Sequence, residues 1–263
     1  MIGNKSIADT NFEIAIRRLD LGLFSKIESQ TVPTEKESLL VMQKAVRNSK
    51  ETFVYLEIGS HLGGSIQPYF LDPKCIKIFS IDKRTEIQAD ERFSDGSKYL
   101  QNTTQRMLDN LRKLSEEKIS KIVTFDSDAS DVDKTKITLK PDICFIDGEH
   151  TNSRAVSDFI FCKSVISRDG VIVFHDSSVI FQGIKSILKK LKQNHEIFKA
   201  YFLSDTLFVI SFSNAPIDND ENIKLLRRKL IRTNIKKWIF WSIFPNIITR
   251  ERLSQYKRRF LKF

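Results

Sequence analysis

Cysteine is scarce in this chain of 263 residues. Cys75, Cys144 and Cys162 are odd in number and lack CxxC spacing, which argues against a disulfide framework and leaves buried, reduced thiols as the expectation. Nine glycines and six prolines exclude collagen-like and low-complexity character. Long apolar runs are missing too: the longest, such as SIFPNII near the end, fall far short of the roughly 18 residues of a membrane span. The opening MIGNKSIADTNFEIAIRR has acids inside it and no basic stretch leading into an apolar one. No signal peptide is expected, and the expected compartment is the cytoplasm. Acids are outnumbered, 33 Asp and Glu against 43 Lys and Arg, and the excess has one address. From Asn222 to Phe263 thirteen basic residues face the single acid Glu251, a balance of +12, so the overall +10 leaves −2 for the first 221 residues. A near-neutral domain is joined to a basic tail.

What is present is the make-up of a folded domain, with 41% apolar and 10% aromatic residues. The length favours one α/β core with appendages. Residues 1–50 read as a helical segment: Phe12, Ala15, Ile16, Leu19 and Leu23 recur near helical spacing, and Pro33 with two acids opens a second helix. Short β-rich runs then alternate with amphipathic ones. Strands are expected at FVYLEI (53–58), IKIFSID (76–82), KIVTFD (121–126), DICFID (142–147) and GVIVFHD (170–176), with helices at about 97–115, 152–166 and 181–193. Strands apolar on both faces and separated by helices predict a parallel sheet covered on each side. EIFKAYFL and TLFVISF are separated only by Ser204 and Asp205, too few residues for a parallel crossover, so they predict an antiparallel hairpin. The expected fold is therefore α/β: a Rossmann-like, doubly wound, mostly parallel seven-stranded sheet over 51–213 with a terminal antiparallel hairpin. N-terminal helices precede it, and residues 214–263 form a linker and a basic, aromatic-rich tail.

The first strand closes in YLEIGSHLGGS, which carries Glu57, Gly59, Ser60, Gly63 and Gly64. Glycines at a strand-to-helix turn let the backbone approach a cofactor. His61 stands where a dinucleotide fingerprint has its middle glycine, which weakens the pyrophosphate reading. Asp82 ends the second strand, 23 residues after Gly59, where an acid can accept both ribose hydroxyls. Asp128 and Ala129 follow the third. Any one of these acids could be a helix cap; three at successive strand ends, with Asp147 a fourth, are poorly explained that way.

Taken together, LEIGSHLGGS, IFSIDKR, DSDAS, DICFIDGEH and RDGVIVFHD resemble the successive motifs of class I S-adenosylmethionine (SAM) methyltransferases. The likeness is strongest to the macrocin-type and cephalosporin-hydroxylase-like group of sugar and small-molecule O-methyltransferases, over about residues 50–213. The resemblance implies that Gly59 with Ser60 and Gly63 lines the methionine part of SAM, with Glu57 near its amino group. Asp82 would take the ribose hydroxyls, Asp128 the adenine amine beside the Ala129 backbone, and Asp147 would lie beside the sulfonium.

SAM carries its own activation, so the protein must align the acceptor and remove its proton. FIDGEH and VFHDSS place Asp147, His150, His175 and Asp176 on adjacent strand ends. Related metal-dependent enzymes hold Mg²⁺ with an acid after the fourth strand and an acidic pair after the fifth, which implies Asp147, His175 and Asp176. One of that pair is histidine here, pointing to a softer ion such as Mn²⁺ or to no metal. In the metal-free alternative His150 or His175 is the base, oriented by Asp147 or Asp176. IDGEH lacks the Asn/Asp-Pro-Pro-aromatic signature of base-amine methylation, which favours hydroxyl acceptors over nucleic acid. A nicotinamide-dependent oxidoreductase and a catalytically silent scaffold at a membrane remain the rival readings, and a homo-oligomer remains open. In the tail, Trp238, Phe240, Trp241, Phe244, Tyr256 and Phe260 interleave with cations, a pattern suited to the surface of an anionic membrane, to a packed helix or, less well, to nucleic acid.

Overall fold

The computed structural model describes residues 7–213 and 215–243. Two helices, α1 (Ile7–Arg18) and α2 (Pro33–Ser49), precede strand β1 (Phe53–Ile58), the short helix α3 (Gln67–Leu71) and β2 (Cys75–Ile81). A hairpin, β3 (Ile87–Asp90) and β4 (Phe93–Lys98), leads to α4 (Thr104–Arg112) and β5 (Ile122–Phe125). The second half runs β6 (Ile143–Ile146), α5 (Asn152–Val165), β7 (Val171–Phe174), α6 (Phe181–Gln193), β8 (Phe198–Phe202), β9 (Phe208–Phe212) and α7 (Glu221–Ile243).

Seven strands form one sheet in the order β5-β2-β1-β6-β7-β9-β8, parallel through β7, with β9 antiparallel to both β7 and β8. This is the doubly wound sheet with a reversed ending that the apolar runs predict. Every residue of β1, β6, β7 and β9 is buried, because helices cover both faces. Tyr55, Phe145 and Val173 face α2 and α3 through Leu39, Met42 and Tyr69, whereas Leu56, Cys144 and Phe174 face α5 and α6 through Phe159, Cys162 and Ile184. Each such side chain contributes about 1.5–3 kcal/mol by leaving water. All three cysteines are free and buried, as expected.

Three details differ from the sequence pattern. The helix expected from residue 97 starts at Thr104, whose N-cap Thr103 accepts the Arg106 N–H. Residues 87–98 instead form the β3–β4 hairpin, mostly polar and exposed along β4, with no periodicity to betray it. Gly96 makes it possible: at φ 73° its missing Cβ would lie 2.4 Å from the Gln88 carbonyl oxygen. The closing hairpin leaves five residues, not two, between β8 and β9. Finally, α7 begins the basic tail by packing on the domain. Ile223 and Leu226 join the core beside α2, and Arg227 stacks 4.2 Å over the Tyr201 ring. The side chains of Trp238, Phe240 and Trp241, and all of Phe244, Tyr256 and Phe260, lie outside the described residues.

Candidate active site

The sheet order reverses between β1 and β6, and open α/β sheets bind ligands outside the carboxyl ends of strands at such a switch. Three of those strand ends carry a non-glycine residue with left-handed backbone: His61 after β1 (φ 40°), Arg84 after β2 (59°) and Asp176 after β7 (44°). Such conformations cost free energy and cluster at functional sites. Gly59 is required by contact. At φ 88°, a Cβ there would sit 2.2 Å from the Asp147 carbonyl oxygen, so the turns after β1 and β6 nest backbone against backbone. Above them opens a cavity of about 490 Å³, whose walls include Gly59, Ser60, Tyr99, Asp147, His150 and His175.

β6 and β7 end in register, Ile146 opposite Phe174, which brings Asp147 and His175 together. His175 Nδ1 lies 2.7 Å from Asp147 Oδ1 and its Nε2 lies 3.3 Å from Glu35 Oε2. Neither contact has the alignment of a hydrogen bond, and both ring nitrogens stay without a hydrogen-bond partner. His150 Nδ1 lies 3.1 Å from Asp90 Oδ2 and 3.0 Å from an Arg92 nitrogen. Its Nε2, 3.6 Å from both Asp147 and Asp176, also has no hydrogen-bond partner. One ligand atom each from Asp147, His150 and His175 falls within 4.8 Å of the others. Asp176, expected in this group, is instead paired with Arg92 at 2.8 Å. Burial alone would depress both imidazoles, but the surrounding carboxylates prevail and hold His150 above, and His175 well above, the ordinary histidine value. Burial would raise Asp147, yet the two imidazoles keep it down at about 2.

Three members of this site are invisible in the motifs. Glu35 reaches in from α2, accepting hydrogen bonds from the Val32 N–H and the Thr206 hydroxyl. In sequence it reads as the acid of a helix start. Asp90 and Arg92 come from the hairpin, which docks on the Asp147–His150 loop through the bonds His150 N–H to Ala89 O and Glu91 N–H to His150 O. Arg92 grips Asp90 with two nitrogens, at 2.9 and 2.6 Å. Nothing in the local sequence marks this pair.

The cofactor residues are placed less openly. Glu57 is fully buried under the loop, accepting from Tyr55 Oη at 2.6 Å and from Ser65 Oγ. Ser65 reaches the large cavity and Glu57 does not. Burial pushes the Glu57 carboxyl up to about 8. Asp82 accepts from the His61 N–H at 2.9 Å, the Arg84 N–H at 2.8 Å and Asn102 Nδ2 at 3.2 Å. The Arg84 guanidinium then joins the His61 carbonyl, Asn102 and the hydroxyls of Ser60 and Ser80. Gly63, at φ 85°, packs towards Met107 of α4 and lies off the cavity wall. Asp128 receives Arg154 at 3.1 Å, and Lys83 pairs with Glu149 at 2.6 Å. Between these pairs, with Ala129 on its wall, only about 20 Å³ is open.

Residues 56–177 match a family model described as a methyltransferase domain. No curated protein matches the chain. Among solved structures, the O-methyltransferase NovP superposes with a TM-score of 0.56 at 11% identity, covering 79% of this chain and 100% of that one. CalS11, a calicheamicin methyltransferase, gives 0.51 at 12% identity over 80% and 95%. At these identities the superpositions establish the fold.

Proposed function

The chain carries a class I SAM-dependent methyltransferase domain, and from that premise we propose that it methylates a hydroxyl of a sugar or other hydroxylated small molecule, such as a glycan precursor. The observation that carries the reading is the cluster of Asp147, His150 and His175 on the cavity wall, with three imidazole nitrogens lacking hydrogen-bond partners. The cavity volume suits a small ligand, and the side chains of Ser29, Thr31, Ser97 and Tyr99 on its walls offer hydrogen bonds to hydroxyls.

Two imidazoles and a carboxylate with converging free atoms fit a divalent ion of mixed nitrogen and oxygen preference, such as Mn²⁺. Asp147, His150 and His175 would hold it, and when bound it supplies a Lewis acid that acidifies the acceptor hydroxyl. Around that group the chain's own residues set the geometry. Asp90 fixes the ring plane of His150, Glu35 lies 3.3 Å from His175 Nε2, Arg92 holds Asp176, and the nested Gly59 turn keeps Asp147 in place. A second reading has its own observation, the 3.1 Å approach of His150 Nδ1 to Asp90. With the proton on Nδ1 shared to Asp90, Nε2 presents a lone pair to the cavity and can take the hydroxyl proton directly.

Chelation separates the two. Under the first reading excess EDTA abolishes methyl transfer, spares SAM binding, and Mn²⁺ restores the rate at least as well as Mg²⁺. Calorimetric Mn²⁺ titration should show a site that Asp147→Ala removes. Full activity in EDTA, with a rate rising through a pKa above the ordinary histidine value of about 6.5, would reject the ion and leave His150 as the base.

We assign residues 222–263 a peripheral role at an anionic membrane surface on the cytoplasmic side. The support is the +12 charge of that segment and the exposure of Leu225 and Ile231 on its described part. Each basic residue near such a surface is worth about 1 kcal/mol. Among the described residues no helix is long and apolar enough to cross a membrane.

A further inference from the structure

The β3–β4 hairpin turns one face to the site. Asp90 pairs with Phe93 and Gln88 with Ser97, and residues opposite each other in an antiparallel pair share a face. Asp90 and Ser97 point inward, joined by the Ser97 hydroxyl donating to Asp90 Oδ2 at 2.9 Å. Phe93 therefore stands on the inner face too, and it lines the large cavity, yet it is 57% exposed. The Arg92 guanidinium lies 5.7 Å from the centroid of its ring, on a side chain already paired with Asp90 and Asp176. Val32, just before α2, is the second large apolar residue on this wall left in the open, at 48%. The buried part of the wall is mainly polar, with Glu35, Ser60, Ser65 and His150 each less than a tenth exposed. Apolar residues scattered singly over a surface are ordinary. Two at the opening of the cavity that holds the reactive groups are not scattered, and a polar floor under an apolar opening suits an amphiphile.

We propose that the methyl acceptor is an amphiphile, a hydroxylated head joined to an apolar chain, and that Phe93 selects it by covering that chain. The proposal rests on the methyltransferase reading above and narrows its substrate class. On that reading Gly59 and Ser60 admit the reactive end of SAM to the same cavity of about 490 Å³. The head of the acceptor then fills the space beside Asp147 and His150, and the rest of the molecule leaves past the opening. There it meets Phe93 and Val32, whose apolar area leaves water only when a ligand covers it.

The test is calorimetry on the full chain saturated with S-adenosylhomocysteine, using matched octyl and methyl β-glycosides of glucose, galactose and N-acetylglucosamine below their micelle-forming concentrations. Each pair differs only in the chain. For at least one sugar the octyl compound should bind at least tenfold more tightly, which is about 1.4 kcal/mol and roughly the burial of two methylene groups. Phe93→Ala should cut that preference to less than threefold by weakening the octyl compound alone. Phe93→Leu, which keeps an apolar side chain, should retain most of it. Ile197→Ala, at an exposed apolar residue off the cavity wall, should leave it unchanged. Phe93→Ala should fold, since the ring is more than half exposed, and circular dichroism checks this. Equal binding of octyl and methyl compounds by wild-type protein, or no binding of any glycoside, overturns the proposal. So does a preference that survives in Phe93→Ala or falls as far in Ile197→Ala. Weaker co-sedimentation of Phe93→Ala with anionic liposomes at an unchanged preference also overturns it, and makes the ring a membrane contact. All of these outcomes leave the SAM reading standing, because S-adenosylhomocysteine stays bound throughout. Failure to bind S-adenosylhomocysteine overturns that reading and the proposal with it.

Discussion

The two halves of the sheet edge are built from the same parts, acids placed where strands end, and they finish in opposite states. Around β6 and β7 the acids leave a cavity of about 490 Å³ and imidazole nitrogens without hydrogen-bond partners. Around β2 and β5 they are closed off: Asp82 is held by His61, Arg84 and Asn102, Asp128 by Arg154, and about 20 Å³ remains. The difference lies in the partners. Arg84 and Arg154 come from the loop and helix next to their acids, whereas Asp147 meets only the imidazoles of His175 and His150, and the guanidinium of Arg92 is claimed by Asp90 and Asp176. On the proposed function, the open half is the one arranged for chemistry before substrate arrives. On the same reading, SAM binding would have the closed half exchange ion pairs for hydrogen bonds to a nucleoside.

Several substitutions would break or sharpen that contrast. Gly59→Ala should act most strongly, because Gly59 joins the halves. Its φ of 88° and the 2.2 Å approach to Asp147 O leave no room for a methyl group. Backbone strain of about 1–3 kcal/mol plus the clash should abolish ligand binding in both halves; a variant that binds as wild type would show the nesting to be dispensable. Asp82→Ala should affect the closed half alone, weakening S-adenosylhomocysteine by about 1.5–3 kcal/mol through lost charged hydrogen bonds. Equal affinity in the folded variant would reduce Asp82 to a loop clamp.

Truncation distinguishes the halves from the other side. Removing residues 222–263 takes Ile223 and Leu226 from the core beside α2, the helix that carries Glu35. At up to about 1.5–3 kcal/mol for each fully buried side chain, the melting temperature should fall. The open half should loosen more than the nucleoside half. Truncation after Arg232 should cost little stability and remove only binding to anionic liposomes, measured by co-sedimentation. An effect visible only as a pH dependence is expected at Glu57, whose carboxyl is raised to about 8 by burial. A carboxyl raised by folding favours the folded state fully below its ordinary pKa. That contribution is lost as pH rises from about 4.5 through about 8. Glu57→Gln should therefore flatten the fall in stability between pH 5 and 9, by up to about 4 kcal/mol. A steeper fall in the variant would mean that Glu57 is ionised in the folded protein.

The fold was legible wherever burial is two-sided. FVYLEI, DICFID and GVIVFHD can only be central parallel strands, and the closely spaced β8 and β9 can only pair antiparallel. The glycine turn and the strand-end acids were equally plain. What escaped notice depends on contacts distant in the chain. The β3–β4 hairpin is polar and exposed, so no apolar alternation announces it, yet it delivers Asp90 and Arg92. Glu35 is indistinguishable locally from a helix-start acid; only the fold carries it 3.3 Å from His175. Whether an acid is free or paired is set by which cation folds against it, and spacing contains no trace of that. So Asp82, Asp128 and Asp147 look alike as letters, and partners divide them.

The central claim is that the open half performs hydroxyl methylation at Asp147. Mass spectrometry of matched hydroxyl and amine acceptors incubated with SAM tests it most directly, comparing wild-type protein with Asp147→Ala. O-methylated product should form with wild-type protein, and Asp147→Ala should make it about 10²–10⁴ times more slowly while still binding S-adenosylhomocysteine. Equal rates for the two proteins, or methylation confined to amines, would contradict the account.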